Sequence, residues 1–329
     1  MYGPDVTFLG VDRCDLDEPS TLVGADVVVI GAPYDAGTSY RPGARFGPQA
    51  IRTTDYNPHD SSRPHMTLRV DPLRDLRVLD AGDVEMPGVE GRAPLDALEK
   101  AVRTVAETGA IPVILGGDHT IAWPDVTGVA RAKGWGRVSV LHFDAHADTG
   151  DTQFGSLVGH GVPMRRLIES GACRGDRFIQ IGLRGYWPEP ETLQWMAGRN
   201  MHSFGMHEVG LRGLDEVLEE AFTIAVDDCD GVFISVDVDV VDPGMAPGTG
   251  TPEPGGFSGR QLLDAVRRTA IELPVVGIDV VEVSPPYDSA EITAFLANRV
   301  VLEMLSGIAF KRQGGTWDSI PRTLLEGRG

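Results

Sequence analysis

The stretch Val138-Ser139-Val140-Leu141-His142-Phe143-Asp144-Ala145-His146-Ala147-Asp148 decides how this chain reads. Its first six residues form a short, β-branched apolar run, the pattern of a strand buried in a parallel sheet. Its last five place Asp144, His146 and Asp148 two residues apart. In an extended segment all three point the same way. The order recurs twice. Val232-Phe233-Ile234-Ser235-Val236 precedes Asp237-Val238-Asp239, and Pro112-Val113-Ile114-Leu115 precedes Gly116-Gly117-Asp118-His119-Thr120. Open α/β sheets bind ligands beyond the carboxyl ends of their strands. His119, Asp144, His146, Asp148, Asp237 and Asp239 are therefore expected to converge there on metal.

Outward from these fragments, strand and helix patterns alternate. Apolar runs predict strands at 26–30, 111–115, 137–143, 178–183, 232–238 and 274–281. Helical periods run from Pro94 to Thr108, stopped by Gly109, and from Ile121 to Lys133, stopped by Gly134. Two more run from Gly213 to Val226 and from Ser258 to Ile271, where Ser258 and Gln261 form a capping-box pattern. Strands alternating with helices predict an α/β fold: a three-layer α/β/α arrangement around a mainly parallel sheet, read as one domain over 1–329. The stretch Asp242–Gly256, with five glycines and four prolines, directly follows Asp237 and Asp239 and reads as an active-site loop.

The 329 residues carry a formal net charge of −19 and a sequence pI near 4.7. Phosphate backbones need a basic face, so nucleic acid is excluded as a partner. Three cysteines, Cys14, Cys173 and Cys229, form no C-x-x-C pair and read as core filler in a reducing cytoplasm. No basic-then-apolar leader is visible at the N-terminus. No apolar run reaches ~18 residues, so no membrane span is expected.

Asp and His ligands with no thiolate suit Mn, Fe, Co, Ni or Zn. Six ligands, four of them carboxylates, are too many for one catalytic ion that keeps an open position. Two ions sharing carboxylates fit better.

The combination resembles the ureohydrolase family: arginases, agmatinases and related amidinohydrolases. Besides the three fragments, the resemblance rests on Tyr40-Arg41-Pro42-Gly43-Ala44-Arg45-Phe46-Gly47-Pro48, Gly248-Thr249-Gly250-Thr251-Pro252 and Asp279-Val280-Val281-Glu282-Val283-Ser284-Pro285. It implies two divalent ions, Mn²⁺ with Ni²⁺ or Co²⁺ as alternatives. His119, Asp144, Asp148 and Asp237 would hold one, and Asp144, His146, Asp237 and Asp239 the other. It further implies a proton-shuttling histidine at His160, a guanidinium-clamping carboxylate at Glu282, a supporting hydroxyl at Thr251, and a homotrimer or homohexamer. Asp148 would aim the attacking hydroxide.

The implied reaction hydrolyses a guanidino compound to an amine plus urea. Arginases carry an Asn after the D-x-H-x-D motif where this chain has Gly150, which argues against arginine. The segment running from Glu282 to Thr293 looks like the agmatinase branch. Asp151, with no Lys or Arg in 149–160, favours a cationic tail, hence agmatine giving putrescine. Guanidino acids such as 4-guanidinobutyrate, with Arg184 or a neighbouring subunit supplying positive charge, and guanidine or alkylguanidines are the alternatives. A silent homologue acting as a partner subunit would have lost a ligand, and none is lost. Trp187 is expected to wall the pocket, and Trp123 and Trp195 to be core. His142 reads as a core histidine; His59, His65, His202 and His207 read as surface or loop residues.

Overall fold

The computed structural model describes residues 6–56, 62–86 and 91–325; His59 lies outside the described residues. Nine strands form one sheet: β1 (Asp12–Arg13), β2 (Val27–Ala32), β3 (Val78–Asp83), β4 (Ile111–Gly116), β5 (Val138–Phe143), β6 (Phe178–Leu183), β7 (His202–Gly205), β8 (Gly231–Asp237) and β9 (Val275–Val281). Their spatial order is β1-β3-β2-β4-β9-β8-β5-β6-β7, and every pairing is parallel. All six predicted strands are present within one or two residues of the expected ends.

Side chains alternate across the sheet. Val27, Val29, Val113, Leu115, Leu141 and Phe143 face one layer, with Ile51, Val217, Leu262 and Val301 from its helices. Val28, Ile30, Ile114, Val138 and Val140 face the other, with Leu98, Val126 and Leu167. Both layers bury aliphatic surface, and each fully buried Val, Leu or Ile contributes about 1.5–3 kcal/mol. The three-layer expectation holds. The helix Gly259–Glu272 starts on Ser258 with the reciprocal Gln261 capping box.

The helix Ile292–Arg312 was not foreseen. It is long and apolar enough to cross a membrane by composition, but 78% of its apolar window is buried within the protein. It packs against Gly259–Glu272 as a core helix, and its all-round burial removes the 3.6-residue polarity that marks a surface helix.

Three strands also escaped the sequence. β3 carries Asp80 and Asp83, and Asp80 is fully buried because Arg52 reaches it through Nε (2.9 Å) and Nη2 (3.0 Å). β1 has two residues and β7 is a four-residue edge strand.

Other expectations need correcting. Trp123 and Trp195 are only half-buried, lying beneath Arg92 (3.9 Å) and Arg165 (4.7 Å) respectively. Cys14 and Cys173 are buried, but Cys229 is partly exposed. His202 is half-buried on β7 rather than at the surface or in a loop, whereas His207 is exposed on a helix, a surface residue as expected.

The register decides where the site forms. Phe143 pairs with Val236 and Val236 with Val280, while Leu115 pairs with Val280 from the other side. The carboxyl ends of β4, β9, β8 and β5, four adjacent strands, are therefore level. His119, Glu282, Asp237 and Asp144 leave the sheet at one height.

Candidate metal centre

The six expected ligands meet. His119 Nδ1 lies 3.0 Å from Asp144 Oδ2, 3.1 Å from Asp148 Oδ2 and 3.2 Å from Asp237 Oδ2. His146 Nδ1 lies 2.9 Å from Asp239 Oδ2 and 3.7 Å from Asp144 Oδ1. Asp144 belongs to both groups of metal-capable atoms, as a shared ligand must.

Local hydrogen bonds aim these groups. Asp144 Oδ1 accepts from His146 N (2.6 Å), Asp237 Oδ1 from Asp239 N (2.8 Å) and Asp239 Oδ1 from Ala145 N (3.1 Å). The second oxygens of Asp144 and Asp237 face His119 Nδ1, and that of Asp239 faces His146 Nδ1. Asp148 and Glu282 sit at φ 52° and 64°, in the left-handed region. Such backbone costs about 1–3 kcal/mol for a residue with a Cβ and concentrates at functional sites.

The tautomer of His119 follows from its neighbours. The Ser235 hydroxyl donates to Asp279 Oδ1 (2.7 Å), so Ser235 Oγ accepts from His119 Nε2, 2.9 Å away. Nδ1 is then turned toward three carboxylates, which outweigh burial and hold the imidazole well above its ordinary range. His119 Nδ1 and Asp144 Oδ2 are buried and make no well-formed hydrogen bond. Burial, then Asp239 and Asp144, push the Asp237 carboxyl well above its ordinary range. Converging lone pairs and negative charges in a buried place fit a cation and repel one another without it. The residues thus suit a binuclear divalent site.

His142 was read as core, and it is fully buried. It also has a role that the sequence reading missed. Gln180 Nε2 donates to its Nδ1 (3.0 Å), leaving Nε2 2.7 Å from Asp144 Oδ2 without a well-formed hydrogen bond, inside the same cluster of metal-capable atoms as His119, Asp144 and Asp148. The signal was the two-residue spacing of His142 and Asp144, which puts them on one side of an extended chain.

Above the ligands opens a cavity of about 610 Å³, lined among others by Asp148, Asp151, His160, Trp187, Thr251 and Glu282. Glu282 Oε1 accepts from His119 N (2.9 Å) and faces His160 Nδ1 (2.8 Å). Glu282 Oε2 is buried and unpartnered. Burial opposes charge on His160, but the Glu282 carboxylate outweighs it and pushes the imidazole up to about 9. Thr251 Oγ1 lies 3.5 Å from Asp239 Oδ2. The Gly/Pro-rich loop that carries Thr251 is closed at its base by a Val241–Phe257 bridge, and it reaches the cavity through Thr251.

These four strand ends, with their ligand pairs and the buried Glu282–His160 couple, are the frame against which known proteins compare. The sequence model of the arginase family matches residues 25–307. The chain belongs to the arginase family. Among its relatives in that family, proclavaminate amidinohydrolase of Streptomyces clavuligerus is 38% identical over 86% of this chain and 88% of its own. Its solved structure superposes with a TM-score of 0.81, covering 94% of this chain and 99% of that one at 35% identity. Agmatinase of Gallus gallus is 37% identical over 86% of this chain and 81% of its own. Guanidinobutyrase of Pseudomonas aeruginosa is 35% identical over 88% of each.

Two expectations about the pocket mouth change within this arginase-family frame. Asp151 is exposed, but it is not a free negative charge: Arg165 and Arg166 reach it at 3.3 and 3.4 Å. Both arginines come from the following helix, outside the loop where positive charge was sought. Arg184, the reserve cation for a substrate carboxylate, is occupied by backbone carbonyls of Asp239 (2.7 Å), Glu253 (2.6 Å) and Val240 (3.2 Å). Gly150 allows the loop to close. Its N–H donates to Gly161 O (2.9 Å), and a Cβ there would stand 3.0 Å from that oxygen.

Proposed function

We propose that the chain hydrolyses a guanidino compound to an amine plus urea, with agmatine, giving putrescine, as the first-choice substrate. One observation carries the reading: a buried, unpartnered carboxylate oxygen, Glu282 Oε2, lines the same cavity as the ligand cluster. A guanidinium is the cation whose planar N–H groups match a carboxylate.

Two divalent ions, Mn²⁺ on this reading, would supply Lewis-acid activation of water. His119, Asp144, Asp148 and Asp237 would hold one ion, and Asp144, His146, Asp237 and Asp239 the other. Asp148 accepts a hydrogen bond from the attacking water and aims it. Glu282 binds the guanidinium, and Thr251 adds a hydrogen bond from the cavity wall. The departing amine leaves only when protonated, and His160 supplies that proton.

Among the described residues, the cavity wall carries Asp151 and Glu189 and no lysine or arginine. A substrate carboxylate there finds no cation, which supports a cationic or neutral tail. A guanidino acid such as 4-guanidinobutyrate is the second reading, favoured by the pairing of Asp151 with Arg165 and Arg166. The test compares kcat/KM for agmatine, 4-guanidinobutyrate, L-arginine and guanidine. Agmatine ahead supports the first reading; 4-guanidinobutyrate ahead establishes the second.

A further inference from the structure

His160 meets two groups from the loop after β2. Ser39 N–H donates to His160 Nε2 at 3.0 Å, and Ser39 Oγ lies 2.6 Å from the same nitrogen. A backbone amide can only donate, so Nε2 is an acceptor and carries no proton in this arrangement. The ring proton is then on Nδ1, facing Glu282 Oε1 at 2.8 Å.

The loop is clamped in place. His160 N donates to Gly37 O (3.0 Å), Gln153 Nε2 donates to Gly37 O (2.6 Å), and Gln153 Oε1 accepts from Gly161 N (2.9 Å). Gly37 N donates to Asp118 Oδ2 (2.8 Å). A Cβ on Gly37 would stand 2.0 Å from Thr120 Oγ1, so only glycine lets the loop sit this deep.

We propose that Ser39 is a positioning residue for His160, holding the ring with Nδ1–H on Glu282 and with Nε2 as the atom that takes up and releases the catalytic proton. The amide sets the resting tautomer. The hydroxyl is the group that can reverse, donating to bare Nε2 and accepting from Nε2–H, so it stays bonded as the proton comes and goes. Ser39 lines the cavity, so Nε2 exchanges its proton on the substrate side. Glu282 makes the ring an avid proton acceptor; Ser39 directs the exchanging proton to Nε2. A wrong tautomer at a catalytic histidine is costly even when its position is kept.

Only the kinetic arm of the test rests on the proposed guanidine hydrolysis. The full chain, ¹⁵N-labelled at histidine and loaded with diamagnetic Zn²⁺, should show His160, once rising pH has left the ring neutral, with Nδ1 protonated and Nε2 bare; a neutral ring protonated at Nε2 overturns the proposal. His160→Asn identifies the signal. In the kinetic arm, Ser39→Ala should lower kcat about tenfold or more, the size of one lost hydrogen bond to a charged group, with KM and metal content unchanged. Ser39→Thr should restore it. A wild type that releases urea alongside an unaltered Ser39→Ala overturns the proposal. A wild type that releases no urea from any guanidine defeats the proposed function instead, and the tautomer measurement still decides the role of Ser39.

Discussion

His119 Nε2 lies 2.9 Å from the Ser235 hydroxyl, and that hydroxyl is committed as a donor to Asp279. The pair fixes which imidazole nitrogen faces the carboxylates. Ser235→Ala removes the fixing group without touching a ligand. Metal affinity should fall about 10–100-fold, the range for lost ligand-orienting partners. Titration calorimetry with Mn²⁺ reads it directly, and an unchanged affinity would show that His119 is oriented by packing alone.

Asp144 belongs to both clusters of metal-capable atoms and, with Asp237, is shared by the two proposed ligand sets. Asp144→Asn should leave one bound ion or none and remove activity. Elemental analysis finding two tightly held ions in this variant would refute the shared-ligand assignment.

His160 touches Glu282 and Ser39 but none of the six ligands. His160→Asn should keep both ions while turnover falls by ~10²–10⁴, as for a lost general acid. Turnover equal to wild type would take His160 out of the reaction.

How far the sequence could be read follows from what each feature depends on. The clustering of the six candidate ligands was legible because each stands beyond a β-branched run and the spacing of two is itself geometry. Glu282 and His160 were found through resemblance, since neither has a spacing that marks it. Ser39 carried no signal, because its contact with His160 joins residues 121 apart. The pairing of Asp151 was missed because a search within one loop does not see arginines on the next helix. β3 hid behind Asp80, whose buried charge makes sense only beside Arg52. The helix Ile292–Arg312 hid because it is apolar on every side.

That helix also yields a pH-dependent term. Glu303 faces His65 Nε2 (3.0 Å) and Arg267 Nε (2.6 Å). Burial disfavours its charge, but His65 and Arg267 overcome this and hold the carboxyl below its usual range. A lowered folded pKa means stability present above the unfolded value of about 4.3 and lost as pH falls through the folded one. Glu303→Gln should cost about 1–3 kcal/mol at neutral pH, with the gap to wild type closing below about pH 4. Urea denaturation at both pH values checks it; a gap that does not depend on pH would contradict the ion pairing.

Substrate choice follows from the wall of the cavity. Agmatine should exceed L-arginine in kcat/KM by ~10²-fold, because leaving an α-carboxylate poorly paired costs about 2–3 kcal/mol. Glu189→Gln should narrow that ratio if Glu189 supplies the wall's free negative charge. A ratio unchanged in this variant would place the discrimination elsewhere.

The central claim is metal-dependent hydrolysis of a guanidinium at the ends of β4, β5, β8 and β9. Urea formation from agmatine, 4-guanidinobutyrate, L-arginine and guanidine, measured before chelation, after it and after restoring Mn²⁺, tests it most directly. The account predicts urea from at least one of these substrates, its loss on chelation and its return with the metal. Urea formation that survives complete metal removal, or none from any of the four with two ions bound, would contradict it.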